Sequence, residues 1–268
     1  MHMYNFSVIT VVYNNKHGLL KTIQSIISQN YKDYEYIVVD GGSSDGTLDI
    51  INDYSKAIDK WISKSDNGIY DAMNKGISMA TGKWLNFMNA GDEFATPNTL
   101  QEIYNHISHI NLNKVGVVYG DCIYITTIAE KYGKASSLFY MKKDFIPGKG
   151  FCHQSSFVKA DLAKKYLFDL KYRICGDLDM MWRIHRNGYS FQYIPIAIAR
   201  YEVENGTSKK NQITAFREAA DISGKRHTLK YKFYFLIFVS HHFLHRFVSK
   251  TTKLLFPNIF LYFKKKLL

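Results

Sequence analysis

The feature that most constrains this chain is the alternation of short apolar runs with amphipathic segments over its first 120 residues. Ser7–Tyr13 and Tyr34–Asp40 are rich in β-branched and aromatic residues, which is typical of strands covered on both faces. Between them apolar residues recur at helical spacing to about Gln29, so this stretch predicts a strand–helix–strand unit with a right-handed crossover. Four such alternations predict an α/β fold with a mostly parallel, Rossmann-like central sheet and helices on both faces.

The other elements of this half follow from the same two periodicities. Gly82 closes one helix as a C-cap glycine does, and Pro97 suits the first turn of another. The Gly-rich segment Gly41–Thr47 is either a plain tight turn or a loop that approaches a phosphate or a base closely, and it matches no dinucleotide or P-loop fingerprint. We predict strands at Lys60–Lys64, Trp84–Met88 and Val115–Gly120, and helices at Thr47–Tyr54, Ile69–Ala80 and Pro97–His109.

Carboxylates stand where three of the predicted elements end. Asp40 closes the second strand, Asp66 lies in the turn after the third, and Asp92 follows the sharp bend that Gly91 allows. The carboxyl ends of parallel strands share one edge of the sheet, which is where open α/β sheets bind ligands. Because like charges repel unless a cation or hydrogen-bond donors lie between them, this edge predicts a binding site. The plain alternative for Asp92 is an ordinary turn residue.

Four ordered motifs carry a family resemblance. They are Ser-Val-Ile-Thr-Val-Val-Tyr-Asn at 7–14, Tyr-Ile-Val-Val-Asp-Gly-Gly-Ser-Ser-Asp-Gly-Thr at 36–47, Asp-Asn-Gly-Ile-Tyr-Asp-Ala-Met-Asn-Lys-Gly-Ile at 66–77 and Asn-Ala-Gly-Asp at 89–92. Over roughly residues 5–210 the chain resembles the family 2 glycosyltransferases with the GT-A fold, and looks most like bacterial enzymes that build O-antigen and capsule repeat units. The resemblance implies inversion at the anomeric carbon, a divalent cation (Mn²⁺ or Mg²⁺) and a nucleotide-sugar donor, UDP-linked by family habit.

The resemblance also implies roles for particular residues of the donor pocket. Tyr13 and Asp40 match positions that cradle the nucleobase and ribose, and Asp66 and Asn74 match positions in the same pocket. Lys75 is expected to supply a positive charge that the family often places on a nearby Arg. The donor site implied in this way comprises Thr10, Val11, Tyr13, Asp40, Asp66, Asn74, Lys75, Asn89, Ala90 and Gly91.

The metal-binding motif departs from the family pattern. The commoner form is Asp-Ala-Asp-Asp, whereas this chain has Asn-Ala-Gly-Asp at 89–92 and keeps one carboxylate, Asp92. We therefore expect weaker metal affinity, or help from another residue. His153, after the glycine-bracketed loop from Gly148, resembles a family His that faces the diphosphate or the metal, and it is the second expected ligand. The plain alternative is a hydrogen-bonded pocket histidine.

The segment Cys175–Arg183 matches the family region whose Asp takes the acceptor proton. Inverting transfer is an in-line displacement that needs one carboxylate within hydrogen-bond reach of the acceptor hydroxyl, so Asp177 is the expected catalytic base. The plain alternative for Asp177 is a helix N-cap, and Asp179 is expected to be a structural partner. Because the Gln-x-x-Arg-Trp signature of processive synthases is absent, we expect the addition of a single sugar.

Charge is concentrated in the last part of the chain. Eleven Lys/Arg and two acids lie from Phe216 to the end, which accounts for most of the formal charge of +12. The apolar runs Phe233–Val239 and Ile259–Phe263 are interleaved with basic residues and precede Lys264–Lys266. This pattern predicts interfacial amphipathic helices on an anionic membrane surface, because the runs are too short and too charged to span a bilayer. The alternative is a helical pair packed on the catalytic domain or on a partner in a homodimer.

Domain organisation and location complete these expectations. We predict a nucleotide-sugar-binding half at 1–125, an acceptor-binding and catalytic-base half at 126–215, and a helical basic and aromatic tail at 216–268. Three scattered cysteines without CxxC spacing predict a reducing compartment, and no signal peptide is expected. Together these predict a cytoplasmic enzyme, peripheral on the inner face of the bacterial cytoplasmic membrane, that acts on a lipid-linked saccharide acceptor.

Two other classes of protein fit parts of the sequence. The charge and the many Tyr and Phe residues suggest a nucleic-acid-binding protein, but the positive charge lies beside apolar runs rather than over a polar face, so we expect no nucleic-acid partner. A nucleotidyltransferase shares this sheet architecture, but it needs a Gly-rich basic loop after the first strand, where this chain has Asn14–Gly18. The Asp177 segment favours the glycosyltransferase.

Overall fold

A computed structural model describes residues 3–127, 129–135, 152–203 and 206–255 of the protein. The α/β class predicted from the sequence is confirmed. The strands are β1 (Phe6–Val12), β2 (Tyr34–Asp40), β3 (Lys60–Ser63), β4 (Trp84–Phe87), β5 (Glu93–Phe94), β6 (Val115–Ile125), β7 (Glu130–Gly133), β8 (Ser156–Lys159) and β9 (Ser190–Glu202). The helices are α1 (Lys16–Ile27), α2 (Thr47–Asp53), α3 (Ile69–Met79), α4 (Thr99–Ser108), α5 (Ala160–Lys165), α6 (Gly176–Arg186), α7 (Thr207–Lys210), α8 (Gln212–Ile222) and α9 (Leu229–Leu255).

The sheet is parallel in its first half and mixed in its second. Across the described strands the order is β3-β2-β1-β4-β8-β6-β9-β5, with β7 paired to β6. Strand β1 pairs in parallel with both β2 and β4, as expected when each strand returns through a helical crossover. Strand β8 then runs antiparallel between β4 and β6. Residues 152–159 are thereby brought beside the end of β4, close to the turn at 89–92 that bears Asp92.

The core is built on both faces of the parallel strands. Successive residues of a strand point to opposite faces, so Val8 and Val12 join one apolar cluster while Ile9 and Val11 join the other. Helices α1 and α4 cover the first face, and α3, α5 and α6 cover the second. Burial on both faces explains why these strands read as continuous apolar runs rather than as alternating patterns.

A buried carboxylate ties the strands together at the amino-terminal edge of the parallel half. The Glu35 carboxylate accepts hydrogen bonds from the Ser7 hydroxyl at 2.6 Å and from the Gly82 amide at 3.0 Å, and it pairs with Lys60 at 2.8 Å. Burial favours the neutral acid, but the Lys60 ion pair and the bonds from Ser7 and Thr81 hold the pKa of Glu35 below its ordinary value. Three strands and the turn before β4 therefore depend on one charge.

The C-terminal part is more continuous than the sequence suggested. Helix α8 (Gln212–Ile222) runs across the boundary expected at 215/216, and α9 is a single helix of 27 residues. Within the described part of the chain, no helix combines the length and the apolarity that a membrane crossing requires. The predicted apolar run Ile259–Phe263, the basic run Lys264–Lys266 and the loop that begins at Gly148 lie outside the described residues.

We predict that Glu35→Gln lowers the free energy of unfolding by about 2 kcal/mol at neutral pH, because it removes the buried charge that pairs with part-exposed Lys60 and accepts from Ser7 and Gly82. Since the folded-state pKa of Glu35 lies below its unfolded value, this stabilisation is present above pH ~4.3 and is lost as the pH falls through the folded-state pKa. Urea unfolding of wild type and variant between pH 3 and 7 measures the difference. Glu130→Gln, which removes a 52% exposed carboxylate paired with Arg200, is the control. A pH-independent difference between wild type and Glu35→Gln would contradict the prediction.

Candidate active site

A cavity of about 1560 Å³ opens at the carboxyl ends of the parallel strands, where open α/β sheets bind ligands. One wall consists of the segments that follow β1, β2 and β4 and of the turn before α3. The other wall consists of the segments before β8 and α6 and of the region after β9. Predicted site residues that line the cavity are Val11, Tyr13, Asp66, Asn89, Ala90, Gly91, Asp92, His153 and Asp177.

The turn at 89–92 is fixed from below by helix α1. The hydroxyl of buried Thr22 donates to the Asp92 carbonyl at 2.6 Å and accepts from the Gly91 amide at 2.9 Å. Gly91 has φ +106°, a left-handed conformation that favours glycine. The Asn15 side chain donates to the Ala90 carbonyl at 3.2 Å. The backbone is thereby bent so that Asp92 faces the cavity.

Burial and polar neighbours have opposite effects on the pKa of Asp92. Burial raises the pKa of Asp92 to about 6, against the lowering effect of the Gln154 hydrogen bond and of nearby His153. The Gln154 amide donates to one carboxylate oxygen at 3.0 Å. Among the described residues, no three His, Cys, Asp or Glu side chains converge to form a metal cluster. Asp92 nevertheless fits a hard divalent cation that takes its other ligands from phosphate and water, as Mg²⁺ commonly does.

His153 joins the two walls of the cavity. Its Nδ1 lies 3.3 Å from an Asp177 carboxylate oxygen and its Nε2 lies 3.1 Å from the Asn89 side-chain nitrogen. Burial opposes the charged imidazole, but the hydrogen bond and charge of Asp177 raise the pKa of His153 above its ordinary value. A charged His153 donates from both nitrogens, and a 180° flip of the Asn89 amide would offer it the Oδ1 atom, which is buried without a hydrogen-bond partner among the described residues.

This geometry places His153 beside the expected base rather than beside a free metal position. Both ring nitrogens of His153 already have partners, so a metal could bind it only after one of those contacts is broken. The pocket-histidine alternative matches the observed contacts. The assignment of His153 as a metal ligand stays a prediction.

Asp177 stands in the first turn of α6, and the N-cap position belongs to Cys175. The Asp177 carboxylate contacts His153 and lies 3.4 Å from the Tyr70 hydroxyl. Burial favours the neutral acid, yet the hydrogen bond and charge of His153 hold the pKa of Asp177 below its ordinary value. Asp179 is absent from the cavity lining, and its carboxylate pairs with Arg183 Nε at 2.8 Å. Of the two acids, Asp177 is the one that faces the cavity.

Four of the predicted donor residues support the cavity wall without lining it. The Thr10 hydroxyl donates to the Met88 carbonyl at 2.7 Å, and the Asp40 carboxylate accepts from the Gly42 amide at 3.1 Å. Asn74 exchanges two hydrogen bonds of 2.9 Å with the backbone of Phe168, and Lys75 is paired with Asp66. Their contacts orient the wall residues, and contact with a donor stays a prediction for each of them.

Three polar side chains that position the site were not predicted from the sequence: Thr22, Asn86 and Glu218. Thr22 interrupts the apolar face of α1, and Asn86 interrupts the apolar strand β4. A polar residue within a buried pattern needs a hydrogen-bond partner, so both positions could have been singled out from the sequence. The Asn86 amide donates to the carbonyls of Gln154 and Ser156, each at 2.9 Å, and so fixes the turn that bears His153. Glu218, on α8, carried no such signal.

The sequence of this chain is similar to those of known glycosyltransferases. Residues 7–167 match the sequence model described as glycosyl transferase family 2. The chain belongs to this family. Its relatives include a PGL/p-HBAD biosynthesis glycosyltransferase of Mycobacterium tuberculosis H37Rv, 32% identical over 208 residues that cover 76% of this chain and 78% of that protein. The putative glycosyltransferase EpsE of Bacillus subtilis is 26% identical over 219 residues, covering 78% of this chain and 76% of EpsE.

Solved glycosyltransferases share the fold of this family 2 chain. Residues 1–349 of Staphylococcus aureus TarS, solved with UDP-GlcNAc, align with a TM-score of 0.63 and 16% identity over 81% of this chain and 66% of that one. The mannosyltransferase PcManGT of Pyrobaculum calidifontis, solved with GDP-Man and Mn²⁺, aligns with a TM-score of 0.61 and 18% identity over 82% of this chain and 65% of that one. The chain thus spans about two thirds of each of these structures, and the likeness shows a common GT-A fold.

We predict that Asp177→Asn lowers the turnover of this glycosyltransferase at least ~10²-fold while donor binding is retained, because the amide cannot accept a proton. Turnover is measured as release of nucleoside diphosphate, and donor binding by calorimetry. Asp179→Asn is the matched control, expected to lower stability rather than turnover because its carboxylate pairs with Arg183. A crippled Asp179→Asn beside a normal Asp177→Asn would mean that the wrong carboxylate had been chosen.

Proposed function

We propose that this enzyme transfers one sugar, with inversion, from a UDP-sugar to a lipid-linked saccharide during synthesis of a cell-surface polysaccharide such as O-antigen. The observation that carries the proposal is the convergence of an exposed aromatic ring, the Asp92 turn and the His153–Asp177 pair on one cavity. The naming of one relative for PGL/p-HBAD biosynthesis supports glycan synthesis, and the TarS complex supports UDP.

The nucleobase end of the donor fits around Gly41. Tyr13 is 66% exposed, and a Cβ at Gly41 would lie 3.2 Å from its ring and 2.9 Å from the Asp66 carboxylate. A flat base can stack on Tyr13, and Asp66 can accept a hydrogen bond from the imide N–H of uracil. Glycine at position 41 keeps this approach open. Lys75 holds Asp66 in place through an ion pair.

The diphosphate end fits against the turn at 89–92. The Asp92 carboxylate would hold a Mn²⁺ or Mg²⁺ ion, which would supply positive charge to offset that of the leaving diphosphate. Two contacts orient this region: the Asn89 side chain meets His153, and the Gln154 amide donates to Asp92. One protein carboxylate is enough when phosphates and water supply the remaining ligands.

The acceptor proton goes to Asp177. Its lowered pKa keeps the carboxylate ionised at neutral pH, and contact with His153 holds it in one orientation. A base on the far side of the anomeric carbon from the leaving diphosphate is what inversion requires. The cavity exceeds the ~300–1,000 Å³ of ordinary ligand pockets, which leaves room for an acceptor. The cavity lining also includes Leu170, Tyr172, Arg173 and Lys209.

Helix α9 supports the proposed membrane association because it has an inner and an outer apolar side. On the inner side, Phe216 of α8 stacks on Tyr231 and Phe238 with ring centroids 5.7 and 4.6 Å apart. On the outer side Phe233 and Leu236 are 62% and 66% exposed. Exposed Lys230 and Lys232 precede this outer side, so an anionic lipid surface offers partners for both the apolar and the charged groups. We propose that the enzyme lies on the cytoplasmic leaflet, whose surface carries anionic lipids.

The test of the function is a donor screen. Purified protein is incubated with a panel of UDP-, GDP- and other nucleotide sugars and Mn²⁺, and slow release of nucleoside diphosphate is measured. We expect release with a UDP-sugar. Binding of DNA without release from any donor would reject the proposal in favour of a nucleic-acid-binding protein.

We predict that Asp92→Asn abolishes Mn²⁺-dependent release, because the remaining amide is a poor ligand for a hard cation. In the wild type, metal-dependent release should fall as the pH drops through about 6, where Asp92 takes up its proton. Release is measured against Mn²⁺ concentration at pH 5 to 8. Glu93→Gln, next in sequence and paired with Lys21, is the control. Full Mn²⁺-dependent activity in Asp92→Asn would remove Asp92 from the metal site.

We predict that the double variant Phe233→Ser/Leu236→Ser loses flotation with liposomes that contain phosphatidylglycerol, because it removes exposed apolar area from α9. Wild-type protein should float with these vesicles, less so at high salt, and poorly with phosphatidylcholine alone. Leu167→Ser/Leu170→Ser, which changes two exposed leucines outside α9, is the control. Equal flotation of wild type and Phe233→Ser/Leu236→Ser, or none by either, would favour a helix that serves only in packing or in a homodimer.

A further inference from the structure

The turn that leads into α6 is held by a carboxylate from a different part of the chain. Glu218 lies on α8 and is 9% exposed. One of its carboxylate oxygens accepts from the Arg173 amide at 2.8 Å, and the other accepts from the amides of Ile174 and Cys175 at 2.9 and 2.8 Å. Three consecutive N–H groups that converge on one anion form a tight anion-binding turn, which Glu218 fills from within the protein.

These contacts supply what the local sequence lacks. Helix α6 begins at Gly176, and its N-cap residue Cys175 makes no side-chain capping hydrogen bond. The amides of the preceding turn, of which that of Cys175 is buried, need an acceptor, since an N–H left unpaired away from water is costly. Glu218 is that acceptor. Its carboxylate therefore determines the path of the backbone immediately before Asp177.

Tyr70 holds the same turn from the opposite side. Its hydroxyl donates to the Ile174 carbonyl at 2.7 Å and lies 3.4 Å from the Asp177 carboxylate. A Cβ at Gly176 would lie 2.7 Å from the Tyr70 ring, so glycine is needed for this approach. The turn is thus held between a carboxylate on α8 and a phenol on α3. A shift of the turn toward either side moves Asp177 relative to His153.

Helix α8 is fastened to the turn by apolar packing as well. Tyr172 and Cys175 form a buried cluster with Ala219 and Ile222 of α8. The Cys175 thiol lies 3.4 Å from the Ala215 carbonyl. Glu218 lies beyond residue 167, where the match to the family model ends, and within the segment that the sequence assigned to the tail.

We propose that Glu218 is a positioning residue for proton transfer by Asp177, and that α8 belongs to the catalytic body. The proposal rests on the role of Asp177 in the proposed function. Glu218 touches neither donor nor acceptor; it acts by fixing the amides of 173–175. The donor-binding wall, with Tyr13, Asp66 and Asp92, is formed by other elements. Loss of Glu218 should therefore change turnover and leave the KM of the donor unchanged.

The test compares Glu218→Gln with Asp221→Asn. Glutamine keeps the size but sets an NH₂ group against one of the three amides, whereas Asp221 is on the same helix and pairs only with Arg226 among the contacts described. In Glu218→Gln we expect amide hydrogen exchange at 173–175 to rise at least ~10-fold, with exchange in β1, β2 and β4 unchanged. Donor-hydrolysis kcat should fall at least ~10-fold at constant donor KM. Glu218→Asp, which keeps the charge, should recover part of both, and Asp221→Asn should change neither.

The split between turnover and donor affinity separates positioning from a general loss of structure, because a misplaced Asp177 slows proton transfer while the donor-binding wall stays intact. Faster exchange at 173–175 with wild-type kcat would overturn the positioning role. Unchanged exchange, or equal losses in exchange protection throughout the sheet, would overturn it as well. A wild type that hydrolyses no donor would refute the proposed function and this role together, whereas an active wild type with an equally active Glu218→Gln would refute only the positioning role.

Discussion

The site depends on how the short turn His153–Ser155 is held against strand β4. Asn86, a fully buried amide in the middle of β4, donates to the carbonyl of Gln154 within this turn and to that of Ser156 directly after it. Gln154 then reaches Asp92, and His153 reaches both Asn89 and Asp177. Because β8 pairs antiparallel with β4, the turn before β8 contacts both walls of the cavity. This turn is what connects Asp92, after β4, with Asp177, at the start of α6.

The two acids on either side of this turn have opposite electrostatic environments. Burial dominates at Asp92 and raises its pKa to about 6, whereas the His153 contact prevails at Asp177 and lowers its pKa. Environments that push the pKa values of neighbouring acids apart are how one site assigns them different tasks. The proposed roles in this family 2 enzyme use this difference: Asp92 would bind the cation, and Asp177 would stay ionised as the base.

Helix α8 connects the catalytic body with the C-terminal helix. Glu218 faces the turn before α6, while Phe216 stacks against aromatic rings of α9. The residues are close in sequence and serve different neighbours because successive positions on a helix point in different directions. Helix α8 is therefore in contact both with the turn before α6 and with α9.

The sequence by itself determined the parallel half of the fold and the place of the ligand site. Its strands and helices are set by local periodicities, so Tyr34–Asp40 was predicted to the residue and the others to within a few residues. Acids at strand ends marked the ligand-binding edge for the same reason. Only the tertiary structure decided which side chains face the cavity. Thr10 and Asn74 bond backbone groups, and Asp40 accepts from the Gly42 amide and the Ser63 hydroxyl. Glu218 holds amides more than 40 positions away, because hydrogen-bond partners are determined by packing and not by local pattern.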